Sequence, residues 1–538
     1  MLYWRHLLIT FLCCLAVGGC QKSPKASKPP PSYLQAPIVQ HTRQNPWYTE
    51  AEKRLEQHPA AHREKRGGAR NIVLFVGDGM GISTLTAARI FQGQQLGNSG
   101  EENRLSFEDF PYTGLIKTYN VNAQTPDSAG TMSAIVSGVK TDAGVLAVDE
   151  HVERGDCASQ SGREVISALE LAELAGQATG IVTTARITHA TPAATYAKSV
   201  DRNWENDSAL SDAARQSGCE DIAMQLVNFQ ERLRSRYPGA SGDGIDVIMG
   251  GGRRNFLPAH PAFNSVDTPE GEVEGLRSDG YDLTAQWQQS YPKGRYVIDA
   301  EGLATVDPGT EKLLGLFEPS HMHYEADRSN DLAGEPSLAD MTEKAISLLR
   351  NKPEGFFLMV EAGRIDHAHH AGNAYNALSD TVALSDAVAR ALAMTDEKDT
   401  LILVTADHSH VFTMAGYPKR GNPILGKVVA PNSEQPTLAA DGQPYTTLGY
   451  ANGAGFDASD RTDGSRSSEI QAGRYDLSEV DTQAPGFHQE ALVPLNSETH
   501  GGEDVALFAR GPGAALASGN HEQNMIFHIM NYAAGWLP

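Results

Sequence analysis

Residues 71–81 read Asn71-Ile72-Val73-Leu74-Phe75-Val76-Gly77-Asp78-Gly79-Met80-Gly81. A short, unbroken apolar run of this kind, without polar alternation, predicts a strand buried on both faces. It ends on an aspartate set among glycines. Similar runs recur at Gly180–Thr183, Asp246–Met249, Phe356–Val360, Leu401–Thr405 and Val505–Ala509. Between them lie helical stretches, Glu164–Ala175, Leu338–Arg350 and Ala374–Met394; in the last, Leu378, Val382, Val388 and Leu392 recur near helical spacing. Strands alternating with helices predict an α/β fold with a mainly parallel central sheet and helices on both faces.

The chain has 538 residues, enough to bury a large core, and 40% of them are hydrophobic. Its formal net charge of -23 argues against nucleic-acid binding, which rests on clustered Lys and Arg. Arg5 and His6 precede an apolar run from Leu7 to Val17, too short for a membrane span and right for the core of a signal peptide. The run ends in Val17-Gly18-Gly19-Cys20, which resembles a bacterial lipoprotein signal with Cys20 as the lipidated residue; an ordinary signal peptide is the alternative. Residues 1–20 are thus expected to be a signal peptide. Residues 21–45, which include KSPKASKPPPS at 22–32, are expected to be a flexible tether. The catalytic α/β domain would comprise 46–415 and 491–538. The stretch 416–490, dense in Gly, Pro, Thr, Asn and Asp and lacking a clear buried strand, would be an inserted subdomain. Beyond Cys13, Cys14 and Cys20 only Cys157 and Cys219 remain. In an exported chain two cysteines read as one disulfide, although spacing alone leaves two free thiols open.

Ligands of open α/β sheets bind outside the carboxyl ends of the strands, and polar residues cluster there. Asp78 follows the first run, Glu361 with Asp366, His367, His369 and His370 follows another, and Asp407, His408 and His410 follow a third; His500 precedes the last. Imidazole and carboxylate donors without cysteine suit catalytic zinc, whereas carboxylates with a hydroxyl suit magnesium. Ser128, in Thr125-Pro126-Asp127-Ser128-Ala129-Gly130-Thr131, stands at the start of an expected helix whose N-terminus favours an anion, and is the candidate nucleophile.

Taken together, GDGMG (77–81), PDSAGT (126–131) with GVKT (138–141), THATPAATYA (188–197), DRNW (201–204), VEAGRIDHAHH (360–370), TADHSH (405–410) and HGGEDVALFARGP (500–512) are similar to the alkaline phosphatase family, closer to its animal-type branch. The resemblance runs from Asn71 to the C-terminus. It implies an alkaline-phosphatase-like fold with 416–490 as a crown-like subdomain, and hydrolysis of phosphate monoesters through a phosphoserine on Ser128. Asp366, His370 and His500 would hold one zinc, Asp407, His408 and Asp78 a second, and Asp78, Thr191 and Glu361 a magnesium. Arg202 would clamp two phosphate oxygens, a task suited to a planar guanidinium. His410 would orient zinc ligands, and His189 and His367 would sit near the magnesium and phosphate. Cys157 and Cys219 match cysteines paired in the animal-type enzymes. Phe317 and Glu318 of GLFEP (315–319) match part of an additional calcium site, with Glu335 the nearest counterpart of its next acidic ligand. A homodimer anchored to the outer membrane through Cys20 is the expected assembly. The rival readings are a phosphodiesterase or sulfatase of related fold, and a metal- or phosphate-binding lipoprotein without turnover. A sulfatase would need a C/S-x-P-x-R context that Ser128 lacks.

Overall fold

The computed structural model describes residues 31–239, 242–457 and 474–538; the signal segment and Cys20 lie outside them. Strands β1 (Asn71–Gly77), β2 (Tyr112–Lys117), β3 (Ala178–Arg186), β4 (Val247–Gly251), β5 (Arg295–Val297), β6 (Leu313–Leu316), β7 (Phe356–Ala362) and β8 (Thr400–Ala406) come in chain order, with β1, β3, β4, β7 and β8 formed by the apolar runs. The short strands β9 (Ser409–His410), β10 (Phe412–Met414), β11 (Leu448–Gly453), β12 (Ala491–Pro494) and β13 (His500–Gly501) follow, then β14 (Val505–Arg510) and β15 (Gly519–Glu522). Ten strands make one sheet in the order β15-β2-β14-β8-β1-β7-β3-β4-β6-β5. Only β14 runs against the others, being antiparallel to both β8 and β2, while β15 is parallel to β2. Every residue of β1, β7 and β8 is buried, as their unbroken apolar sequences require.

Helix Leu338–Leu349 packs on helix Ala374–Met394 and on β3, and Met525–Ala534 packs on Pro46–Gln57 and on Ser128–Ser137. The helix expected from Glu164 begins only at Ala168. Ser167 caps it, its Oγ accepting from Glu170 N at 3.2 Å while Glu170 Oε2 accepts from Ser167 N at 2.9 Å. Glu164 instead bridges to Val148.

Two further expectations are corrected. The tether does not extend to residue 45, because Ser32–Gln35 is a 3₁₀ turn and Pro37–Gln44 an α-helix with Leu34, Val39 and Thr42 buried. Thr42 Oγ1 accepts from Ile166 N at 3.0 Å, and His41 Nε2 lies 2.7 Å from Asp149 Oδ2, so this segment is fastened to the body. Composition rich in Pro and Lys signalled a solvated chain, but the apolar residues Leu34 and Val39 find partners far along the sequence. Within 416–490 a strand does form: β11 pairs antiparallel with β10 and parallel with β12. Its two partners lie outside the insertion, and only Leu448, Tyr450 and Gly453 are buried, so no continuous apolar run announces it.

Candidate metal centre and active site

Strands β8, β1, β7 and β3 are neighbours, and β14 enters beside β8 from the opposite direction. The carboxyl ends of the first four therefore converge with the amino end of the fifth. Asp78 follows β1, Glu361 is the penultimate residue of β7, Asp407 and His408 follow β8, His189 and Thr191 follow β3, and His500 precedes β14. Gly79, at φ +71, permits the turn at Asp78, and a Cβ there would collide with the His410 ring.

Asp366 and His370 lie on one face of helix Arg364–His370, four residues apart, and meet His500. His370 Nδ1 donates to the Glu498 carbonyl at 2.6 Å and His500 Nδ1 to the Pro126 carbonyl at 2.8 Å, leaving the lone pair of each ring on Nε2. These two Nε2 atoms are 3.0 Å apart, and each lies 3.3 Å from Asp366 Oδ1. Three acceptors brought this close fit a shared cation. Although burial favours the neutral acid, the adjacent His370 and the hydrogen bond from His410 hold the Asp366 carboxyl well below its usual range.

A second group is formed by Asp78, Asp407 and His408. His408 Nε2 lies 3.4 Å from Asp78 Oδ1, 3.4 Å from Asp407 Oδ2 and 3.1 Å from Ser128 Oγ. Burial, then the nearby His500, lowers the His408 pKa well below that of free imidazole, so the ring is neutral and offers a lone pair. Both Asp78 oxygens are buried without a hydrogen-bond partner, as are Glu361 Oε1 and Thr191 Oγ1. Asp78 and Glu361, with His189, form a third group that could hold an ion. Glu361 is pushed up to about 7, chiefly by burial, and Asp78 is also raised, by burial and then by Asp407. Such orphaned carboxylates are costly unless a cation joins them, and the donor chemistry of all three groups fits metals.

Ser128 is the first residue of helix Ser128–Ser137. Asp127 caps that helix, its Oδ1 accepting from Gly130 N at 3.0 Å, and its Oδ2 accepts from Arg202 Nη1 at 3.0 Å. One carboxylate thus ties the serine to the arginine. Arg202 Nη2 lies 3.1 Å from His189 Nε2. His367 has no direct bond to the metal groups; its ring centroid is 5.6 Å from that of His189 and 4.0 Å from that of His321. Burial and then Arg364 lower His367 to about 3. His410 Nε2 donates to Asp366 Oδ1 at 2.8 Å and Nδ1 to Glu498 Oε2 at 2.6 Å. Cys157 and Cys219 are joined as a disulfide.

A fourth group, Glu318, His323 and Glu335, lies apart from these. Burial and then Asp331 push Glu318 up to about 9.

The matches to known proteins agree with this geometry. The family model described as alkaline phosphatase matches residues 69–536. The tissue-nonspecific alkaline phosphatase of Rattus norvegicus is 42% identical over 536 residues, covering 98% of this chain and 93% of the relative. The Homo sapiens isozyme is 43% identical over 492 residues, covering 91% and 88%. The chain belongs to the alkaline phosphatase family. The alkaline phosphatase of Thermus thermophilus shares the fold at TM-score 0.61 and 24% identity, over 90% of this chain and 95% of that one. The enzyme of the Antarctic bacterium TAB5 does so at 0.55 and 21%, over 88% and 100%.

For this family member, residue reading passed over several groups at the centre. Asp127 carries a helix-cap signal in PDSAG, but nothing local shows that it also holds Arg202. His369, named in the strand-end cluster but given no role, is fully buried between Thr84 Oγ1 (3.0 Å) and Tyr450 OH (2.9 Å), the latter reaching in from β11. Glu498 has no signal at all in the loop that carries it.

Proposed function

We propose that the chain hydrolyses phosphate monoesters to an alcohol and inorganic phosphate, with Ser128 as nucleophile and a phosphoserine as the intermediate. The observation that carries this reading is Ser128 Oγ, at a helix N-terminus, 3.1 Å from Nε2 of His408 and tied through Asp127 to Arg202. The helix N-terminus and the guanidinium both favour the dianionic group beside the serine. Asp366, His370 and His500 would hold one zinc, Asp78, Asp407 and His408 a second, and Asp78, Thr191 and Glu361 a magnesium. When bound, these ions neutralise charge on the reacting oxygens and lower the pKa of the hydroxyl groups they touch. Asp127 keeps Arg202 aimed, and Arg202 supplies two donors to equatorial phosphate oxygens. Attack by Ser128 forms the new P–O bond as the ester P–O bond breaks, and water then hydrolyses the phosphoserine. Nothing in this arrangement reads the alcohol, which supports broad specificity.

The reading extends to calcium at Glu318 and Glu335, where Glu318 Oε1, buried without a hydrogen-bond partner and 3.6 Å from His323 Nδ1, supports a cation. It also includes export, with an outer-membrane lipid anchor on Cys20, which fits the sequence before it; among the described residues no helix is long and apolar enough to cross a membrane. A homodimer is supported by Leu492, Val493 and Leu495, which are exposed on and beside β12, at the edge of the small sheet.

The test is p-nitrophenyl phosphate hydrolysis at alkaline pH by wild type and Ser128→Ala, with and without zinc and magnesium. We expect metal-dependent turnover in wild type and its loss in the variant. Turnover that survives in Ser128→Ala removes the serine from its role, and a wild type that cleaves only diesters or sulfate esters removes the substrate class.

A further inference from the structure

Glu498 is buried, stands two residues before His500 and is used by none of the steps above. Its side chain is wholly inaccessible. Both carboxylate oxygens are engaged, Oε2 by His410 Nδ1 at 2.6 Å and Oε1 by Val411 N at 2.8 Å. Its main chain is engaged as well, the carbonyl accepting from His370 Nδ1 at 2.6 Å and the amide donating to the His370 carbonyl at 3.1 Å. One residue therefore touches His370 directly, precedes His500, and reaches Asp366 through His410.

We infer that Glu498 is a positioning residue for the Asp366–His370–His500 cation site, acting through His410; this rests on reading that trio as a zinc site. The argument is one of donors and acceptors. A carboxylate only accepts, so Glu498 Oε2 requires a hydrogen on His410 Nδ1. Asp366 Oδ1, 2.8 Å from His410 Nε2, requires one there too. Glu498 thereby fixes the ring so that its far side donates to Asp366 and sets the plane of that carboxylate toward His370 and His500. Glutamine fills the same space but has one acceptor atom. It cannot accept from both Val411 N–H and His410 Nδ1–H, so one donor must face its NH2 group. Partners that orient metal ligands in this way typically change metal affinity by about 10- to 100-fold.

The test is zinc transfer from the zinc-loaded full chain to a chromogenic chelator, for wild type, Glu498→Gln, His410→Gln and the double variant. One of the two zinc equivalents should leave Glu498→Gln about tenfold faster or more, the other at the wild-type rate, with an unchanged circular dichroism spectrum. The double variant should lose zinc no faster than His410→Gln alone, since the carboxylate acts through that ring. Unchanged release from Glu498→Gln overturns the inference while leaving the site standing. So do additive effects in the double variant, or a Glu498→Gln that loses both ions together or fails to fold with zinc present, since these mark a merely structural role. A wild type that binds no zinc removes the site itself and the inference with it.

Discussion

Replacing Arg202 with alanine removes one side chain and leaves its surroundings nearly intact, which makes the outcome calculable. Arg202 commits Nη1 to Asp127 Oδ2 at 3.0 Å and Nη2 to His189 Nε2 at 3.1 Å, and each terminal nitrogen keeps one further N–H for a phosphate oxygen. Hydrogen bonds to charged groups contribute about 1.5–3 kcal/mol each. Two at the lower end give about 3 kcal/mol, or roughly 150-fold in kcat/KM. Little more is lost through Asp127, whose carboxylate keeps Asn120 Nδ2 at 2.9 Å and the amides of Gly130 and Gly144 at 3.0 Å each. The helix Ser128–Ser137 therefore keeps its cap. The clamp acts on bound phosphate as well as on the transition state, so the inhibition constant for inorganic phosphate should rise by a similar factor. Arg202→Lys, which restores charge without the fork, should fall between the two. The assay is steady-state hydrolysis of p-nitrophenyl phosphate with phosphate as competitor, on protein whose zinc content is measured beforehand. An inhibition constant within threefold of wild type, at full zinc content, would refute the assignment.

Three other outcomes are expected. Breaking the Cys157–Cys219 bridge with paired serines opens a loop closed over a sequence separation of 62, which the chain-entropy relation values at about 4 kcal/mol; the drop in urea midpoint measures it. Burial, and then the nearby Asp246, push Glu173 up to about 7, so the folded chain holds this proton more tightly than the unfolded one. Stability from this group is therefore lost as pH rises from its ordinary carboxylate range to about 7, by an amount on the order of 3 kcal/mol, and is flat above. Glu173→Gln should remove that slope, and an unchanged difference between variant and wild type from pH 4.5 to 8 would count against it. Glu335→Gln should weaken calcium binding in a titration of the metal-depleted chain, because it takes one of the carboxylates from the Glu318–His323–Glu335 group.

The strands that carry the site were legible because burial on both faces leaves continuous apolar sequence, and because their polar ends follow immediately in the chain. Asp78, Glu361, Asp407 and His500 could thus be found one segment at a time. Strand β2 could not, since its residues alternate between exposed and buried, nor could β11, whose partners lie outside the insertion. The N-terminal helix was hidden by a composition suited to solvent, its few apolar residues being matched only by distant neighbours.

By itself the sequence determined the α/β class, the set of metal-binding residue types and the strand ends at which they stand. It did so because periodicity and strand-end placement are local properties, written within a few residues. The grouping of those residues, which only the family resemblance implied beforehand, is made by the tertiary structure. That grouping depends on β8, β1, β7 and β3 lying side by side with β14 reversed against them. It depends equally on carbonyls and carboxylates from remote loops, Pro126 for His500 and Glu498 for His370 and His410, that turn each ring and choose its donor nitrogen. Such choices are made by hydrogen bonds between segments far apart in the chain, and no local pattern of residues encodes them.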